Sequence, residues 1–261
     1  MSFANRNLQH RSFQNQMLNG IDFSGSDLRG CNFKNAQLVG ANLTGAKMGL
    51  SPLRMVCLSA IVLLVIWGVG HAHARLIFGS LGQTPEDKAW SYVLVLYGFL
   101  SLAGIVAAVA KVSPTLSRWA EILSAAMTGA LGGFFYAGSA ANNNAQSAIA
   151  GAIAGAVLLC CLSVWMRARW MGLAIAAAGL INQYGAAFLI AANASAFLST
   201  RQLLWGILLT LASLIYVWLT LISCQHVVRS LKQSASTSFL GANLTDARFD
   251  VQIDANLLDA G

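Results

Sequence analysis

The sequence predicts an α-helical membrane protein with about six transmembrane helices, flanked at both ends by a polar segment that repeats every five residues. Three observations carry this expectation. The chain is 57% hydrophobic and only 10% charged, where an average soluble domain carries about 25% charge, and its mean hydropathy is +0.63. From Ser51 onward, apolar runs follow one another, each long enough to cross a bilayer. Before and after those runs, an apolar residue returns at every fifth position.

The N-terminal element, residues 1–50, is polar and rich in Asn and Gly. It lacks the charged start, short apolar core and small-residue cleavage site of a secretory signal, so it is expected to be retained. Counting from Phe3, the fifth-residue positions are Phe3, Leu8, Phe13, Leu18, Phe23, Leu28, Phe33, Leu38, Leu43 and Met48. Neither a helix nor a strand has period five, which rejects both amphipathic patterns. Two residues earlier lies a column of modest size: Ile21, Ser26, Cys31, Ala36, Ala41 and Ala46. Two residues later stand Gly20, Gly25, Gly30, Asn35, Gly40 and Gly45, the residue types that a chain needs where it turns sharply at positive φ.

These columns resemble the pentapeptide-repeat family, and Ala41-Asn42-Leu43-Thr44-Gly45 and Ser26-Asp27-Leu28-Arg29-Gly30 carry the likeness best. The resemblance implies a right-handed, four-sided β-helix (a pentapeptide-repeat solenoid). Its core would be Phe23, Leu28, Phe33, Leu38 and Leu43, and ten repeats would make about two and a half coils. Arg6, Arg11 and Gln16 occupy the small column of the first repeats. They are too long for a narrow interior, so a loosened terminal cap is expected there.

The membrane element, residues 51–230, divides into spans at 54–77, 89–110, 119–141, 147–166, 171–195 and 203–226. Each is about twenty residues, the length that crosses a hydrocarbon core of about 30 Å as helix. In lipid only a helix satisfies its own backbone. Ser51-Pro52 reads as an N-cap with a first-turn proline, while Pro85 and Pro114 fall between spans. Gly129-x-x-x-Gly133 and Gly151-x-x-x-Gly155 are close-packing faces. Packing within the bundle is the expected use, and a homo-oligomer interface is the other reading. The five cysteines show no metal-site or disulfide spacing and are read as small buried hydrophobes.

The last element, residues 231–261, repeats the signature in Thr237-Ser238-Phe239-Leu240-Gly241 and Ala242-Asn243-Leu244-Thr245-Asp246. Phe249 follows in register, and a weak restart stands at Ala255-Asn256-Leu257. So short an array cannot bury Phe239, Leu244 and Phe249 by itself, because repeats gain stability from their neighbours. It is expected to stack on the N-terminal array around Leu38, Leu43 and Met48.

Charge sets the expected orientation. Of the 16 Lys and Arg, only Arg75, Lys88 and Arg201 fall on the side opposite the termini. The positive-inside rule then puts both termini in the cytoplasm.

Chemistry is sparse. There is no P-loop, dinucleotide fingerprint, HExxH or nucleophile elbow, so no catalytic, cofactor-binding or metal residues are assigned and no enzyme activity is expected. His71 and His73 lack obvious further metal ligands and read as polar residues at a helix end. The candidate intramembrane polar site is Asn182, Gln183 and Tyr184, since such residues are costly in lipid and usually face protein or a cavity. The basic head, with Arg6, Arg11, Arg29, Lys34, Lys47 and Arg54 against Asp22 and Asp27, argues against DNA mimicry and for anionic lipid; no nucleic-acid partner is expected.

The expected function is a scaffold or assembly subunit in a bacterial cytoplasmic (inner) or thylakoid membrane, docking other membrane or cytoplasmic protein subunits. The competing class is a transporter or channel working through the bundle.

Overall fold

Among the described residues six helices carry most of the chain, and each is continuous because nothing in lipid competes for its backbone hydrogen bonds. The computed structural model describes residues 2–84, 86–88, 90–112, 116–165 and 169–250. Pro85, Pro114, Arg167 and the weak repeat at 255–257 lie outside them. The helices are α1 (Pro52–Ser80), α2 (Trp90–Val112), α3 (Ser117–Ala140), α4 (Ala145–Trp165), α5 (Arg169–Ser199) and α6 (Leu203–Ala235). All six are long and apolar enough to cross a membrane, which is the architecture of a multi-pass membrane protein. α1, α5 and α6 outrun the expected spans, and α6 passes the expected boundary at 230.

The fold class needs a correction. The resemblance implied a β-helix at the chain ends, but among the described residues there is no strand or sheet, and the regular structure is helical. The terminal segments instead make isolated one-residue parallel bridges separated by turns. Ser2 bridges Asp22, Asn7 bridges Asp27, Ser12 bridges Asn32 and Met17 bridges Gln37, and the series continues upward. The reason is local. A corner every five residues leaves one residue per side free to pair with the next tier, too few to build a strand.

The chain divides into two compact units, one of residues 1–60 with 229–261 and the other of residues 61–228. In the first, the fifth-residue column forms the core: Phe23, Leu28, Phe33 and Leu38 are fully buried and Leu43 nearly so. Rings in successive tiers stack, Phe13 on Phe33 at 5.0 Å and Phe33 on Phe239 at 5.1 Å. Every third-column residue from Asn5 to Gly45 has φ between 55° and 71°. At Gly30 the requirement is double, because a Cβ would also press on the His10 ring and on Ser51.

The first repeats are not loosened. Their bridges are complete, and Leu8, Phe13 and Leu18 are buried. Arg6, Arg11 and Gln16 are exposed instead. Among the described residues no tier packs against them from the other side, and their side chains leave the column for solvent.

In the second unit, α3 packs closely on α4, and α2 packs against α5 and α3. A Cβ on Gly129 would strike the Gly155 carbonyl, and one on Gly133 the Gly151 carbonyl. Both glycine motifs are therefore used inside the bundle, which overturns the oligomer reading of them. The cysteines also depart from expectation. Only Cys31 is buried, whereas Cys57, Cys161 and Cys224 are exposed on helix surfaces.

Candidate functional site

The repeat array is built by backbone hydrogen bonds of fixed pattern. The Phe23 N–H donates to the Asn42 carbonyl (2.7 Å), and the Asn42 N–H donates to the Ile21 carbonyl (3.0 Å). Each corner is closed by a turn bond such as Ala46 N–H to Leu43 carbonyl (3.2 Å). Small-column residues also contribute. The Ser26 hydroxyl donates to the Phe3 carbonyl, and the Cys31 thiol to the Leu8 carbonyl at 3.0 Å. Burial pushes the Cys31 thiol up to about 11, so it is a packing group with little thiolate character.

The C-terminal repeats continue this array. Asn32 bridges Ser238, Gln37 bridges Asn243 and Asn42 bridges Arg248. Phe239, Leu244 and Phe249 are partly buried against the N-terminal column. Because the two chain ends share one array, both lie on the same side of any membrane that the helices between them cross. That requires an even number of crossings, and six is even.

The two crossing points into the helices are tied to the array. The Ser51 N–H donates to the Ala235 carbonyl (3.0 Å), joining the start of α1 to the end of α6. Ser51 caps α1 through Arg54 N–H, its hydroxyl meets His10 Nε2 at 3.2 Å, and Arg54 donates to the Gly30 carbonyl at 2.9 Å. The Thr237 hydroxyl donates to the Leu28 carbonyl at 2.8 Å.

On the outside of the array, one ion pair stands out. Arg29 grips Asp27 through Nη2 at 2.6 Å and Nε at 3.0 Å, and Gln9 Nε2 donates to the same carboxylate at 2.6 Å. The Arg29 guanidinium holds the Asp27 carboxyl well below its usual range.

Residues 7–45 match the pentapeptide repeats in eight copies. The N-terminal segment is a pentapeptide-repeat array. The C-terminal segment that completes it, from Thr237 on, lies outside the matched residues. No curated protein and no solved structure matches the chain.

The intramembrane candidate differs from its sequence reading. Asn182 and Gln183 are fully buried, but Tyr184 is 59% exposed on the outer surface of α5 and leaves the group. Successive residues turn by 100° on a helix, so three in a row cannot share one narrow face. In its place the structure brings His73, Thr128, Ser124 and Ser223. His73 Nε2 lies 2.8 Å from Asn182 Oδ1, its Nδ1 lies 2.8 Å from the Val69 carbonyl, and Asn182 Nδ2 donates to Thr128 Oγ1 at 3.0 Å. Thr128 in turn donates to the Ser124 carbonyl at 2.9 Å. The Gln183 carboxamide meets the Ser223 hydroxyl on α6. With its nitrogen toward α6, it also donates to the Leu219 carbonyl at 3.3 Å.

His73 is thus an interior residue, since α1 runs on to Ser80, and not one at the helix end. His71, exposed, lies near the rings of Trp67, Phe135 and Tyr136. Among the described residues no group of His, Cys, Asp or Glu could hold a metal. The His73–Asn182 pair is separated by 109 residues, and no spacing rule could have found it. The i, i+4 relation of Ser124 to Thr128 on one helix face was the one readable signal.

Proposed function

We propose that the chain is a non-enzymatic, membrane-anchored scaffold or assembly subunit whose repeat array docks other protein subunits within a larger membrane complex. The observation that carries this reading is the closure of the array by the chain's own last repeats. Its apolar column is internal, and its walls display rows of polar residues at fixed rise, such as Asp22, Asn42 and Arg248, or Asn7, Asp27 and Lys47. Rows held by backbone bonds are pre-organised, which lowers the entropic cost of association.

The excess of Lys and Arg on the terminal side supports a cytoplasmic array, in a bacterial inner or thylakoid-type membrane. Anionic lipid of the same leaflet attracts the exposed Arg6 and Arg11 at about 1 kcal/mol per residue close to the surface. The buried polar cluster supports packing over transport, because its amides are taken up by neighbouring helices and Tyr184 faces outward.

The test is purification in mild detergent with mass spectrometry of bound proteins, comparing wild type with Lys34→Glu/Lys47→Glu. A stable larger complex that the variant loses, with its array still protease-resistant, is expected. A chain that purifies alone, together with liposome flux that Asn182→Leu or Gln183→Leu abolishes, would replace this reading with a transporter.

A further inference from the structure

At the C-terminal end of α1, a cleft of about 590 Å³ opens between α1, α2, α3 and α4, within the roughly 300–1,000 Å³ typical of small-molecule sites. Leu96 and Phe99 of α2 and Leu131 and Phe134 of α3 form apolar walls, while Arg75 and Gln83 stand among the few polar groups. No Asp or Glu lines it. Arg75 is exposed and makes no hydrogen bond or ion pair among the described residues. Nearby acids do not neutralise it: the Asp87 carboxylate is taken by the Thr84 N–H (2.7 Å) and hydroxyl (2.9 Å), and Glu86 forms no ion pair among the described residues. The start of α4 borders the same cleft, with no acidic residue in its first turn, so its dipole adds to the positive potential.

We propose that this cleft holds one acyl chain of an anionic lipid, with the lipid phosphate seated on Arg75. The walls supply the tail with the apolar contact it has in the bilayer. The guanidinium fork matches two phosphate oxygens at once, and its place near the end of a span is the depth at which lipid phosphates lie. A zwitterionic lipid offers the same tail but carries an ammonium group into a rim that is already cationic. The site is separate from the attraction of Arg6 and Arg11 for a charged leaflet, since it needs both tail and head.

The experiment uses the full chain in phosphatidylcholine vesicles containing a trace of photoactivatable lipid, with the reactive group on the acyl chain and either a phosphatidylglycerol or a phosphatidylcholine head. Crosslinked peptides are mapped by mass spectrometry. The phosphatidylglycerol probe is expected to mark peptides spanning 96–99 and 131–134 several-fold more than its counterpart. Arg75→Gln should reduce that labelling to the phosphatidylcholine level, and Arg75→Lys should keep most of it. Ala130→Phe, which fills the cleft and leaves Arg75 in place, should also lose the wall labelling. Equal labelling by the two probes, labelling unchanged in Arg75→Gln, or labelling spread evenly over the outer faces of α4 and α6 would overturn the proposal.

Discussion

The repeat array and the helix bundle differ in what they leave on the outside and in the polar groups they enclose. In the array Phe23 and Leu38 are fully enclosed, while in the bundle Leu63 and Trp218 are more than 60% exposed and Asn182 and Gln183 are fully enclosed. The array folds in water, where removing apolar surface is the main driving force. The bundle has no such force between helices, because lipid is as apolar as leucine; close backbone approach and hydrogen bonds replace it. One chain therefore contains two cores held by different forces: an apolar column in the array, and in the bundle an apolar interior with large hydrophobics also on the outside and amides within.

The comparison can be broken most severely at the array. Deleting residues 237–250 removes the partners of Asn32, Gln37 and Asn42 and uncovers Phe33, Leu38 and Leu43. Each is worth about 1.5–3 kcal/mol when fully buried, so new proteolytic cuts should appear within residues 26–50. Phe33→Ala, which also breaks the stack with Phe13 and Phe239, should destabilise by about 3–5 kcal/mol, read as the thermal midpoint of the head.

In the bundle the sensitive positions are glycines. Gly129→Val or Gly133→Val should separate α3 from α4 at about 1–3 kcal/mol, seen as lost crosslinking between cysteines placed on the two helices. Asn182→Leu should lower resistance to denaturing detergent by about 0.6–2 kcal/mol. Tyr184→Leu should stay within about 0.5 kcal/mol. Equal effects at 182 and 184 would contradict the burial described above.

The smallest effect concerns Asp27. Its carboxyl is held below the ordinary value of 3.8 by Arg29, so its contribution is present above that value and is lost as the pH falls below it. Asp27→Asn should destabilise the head at pH 7 by less than about 1 kcal/mol, as for partly exposed pairs. A melting series from pH 7 to 3 should show a constant gap between wild type and variant above 3.8, which only begins to narrow below that value.

Span number was legible because crossing a bilayer sets a minimum apolar length, and the period of five was legible because each coil repeats the same burial problem. The nature of the coil was not. The resemblance suggested strands, whereas corners this frequent leave only single-residue bridges. At the polar site, Asn182 and Gln183 could be read from their cost in lipid, but Tyr184 was included by adjacency, which helical rotation defeats. His73 was assigned to a helix end because α1 outruns its expected span and because its partner lies on α5.

The bridges from Asn32, Gln37 and Asn42 to the last repeats also order events during synthesis. The ribosome releases Phe33 and Leu43 roughly two hundred residues before Phe239 and Phe249 emerge to cover them. Until then the early tiers carry an uncovered apolar end. A chain threaded with one helix too few would strand its final segment across the bilayer, and the apolar end of the array would stay uncovered.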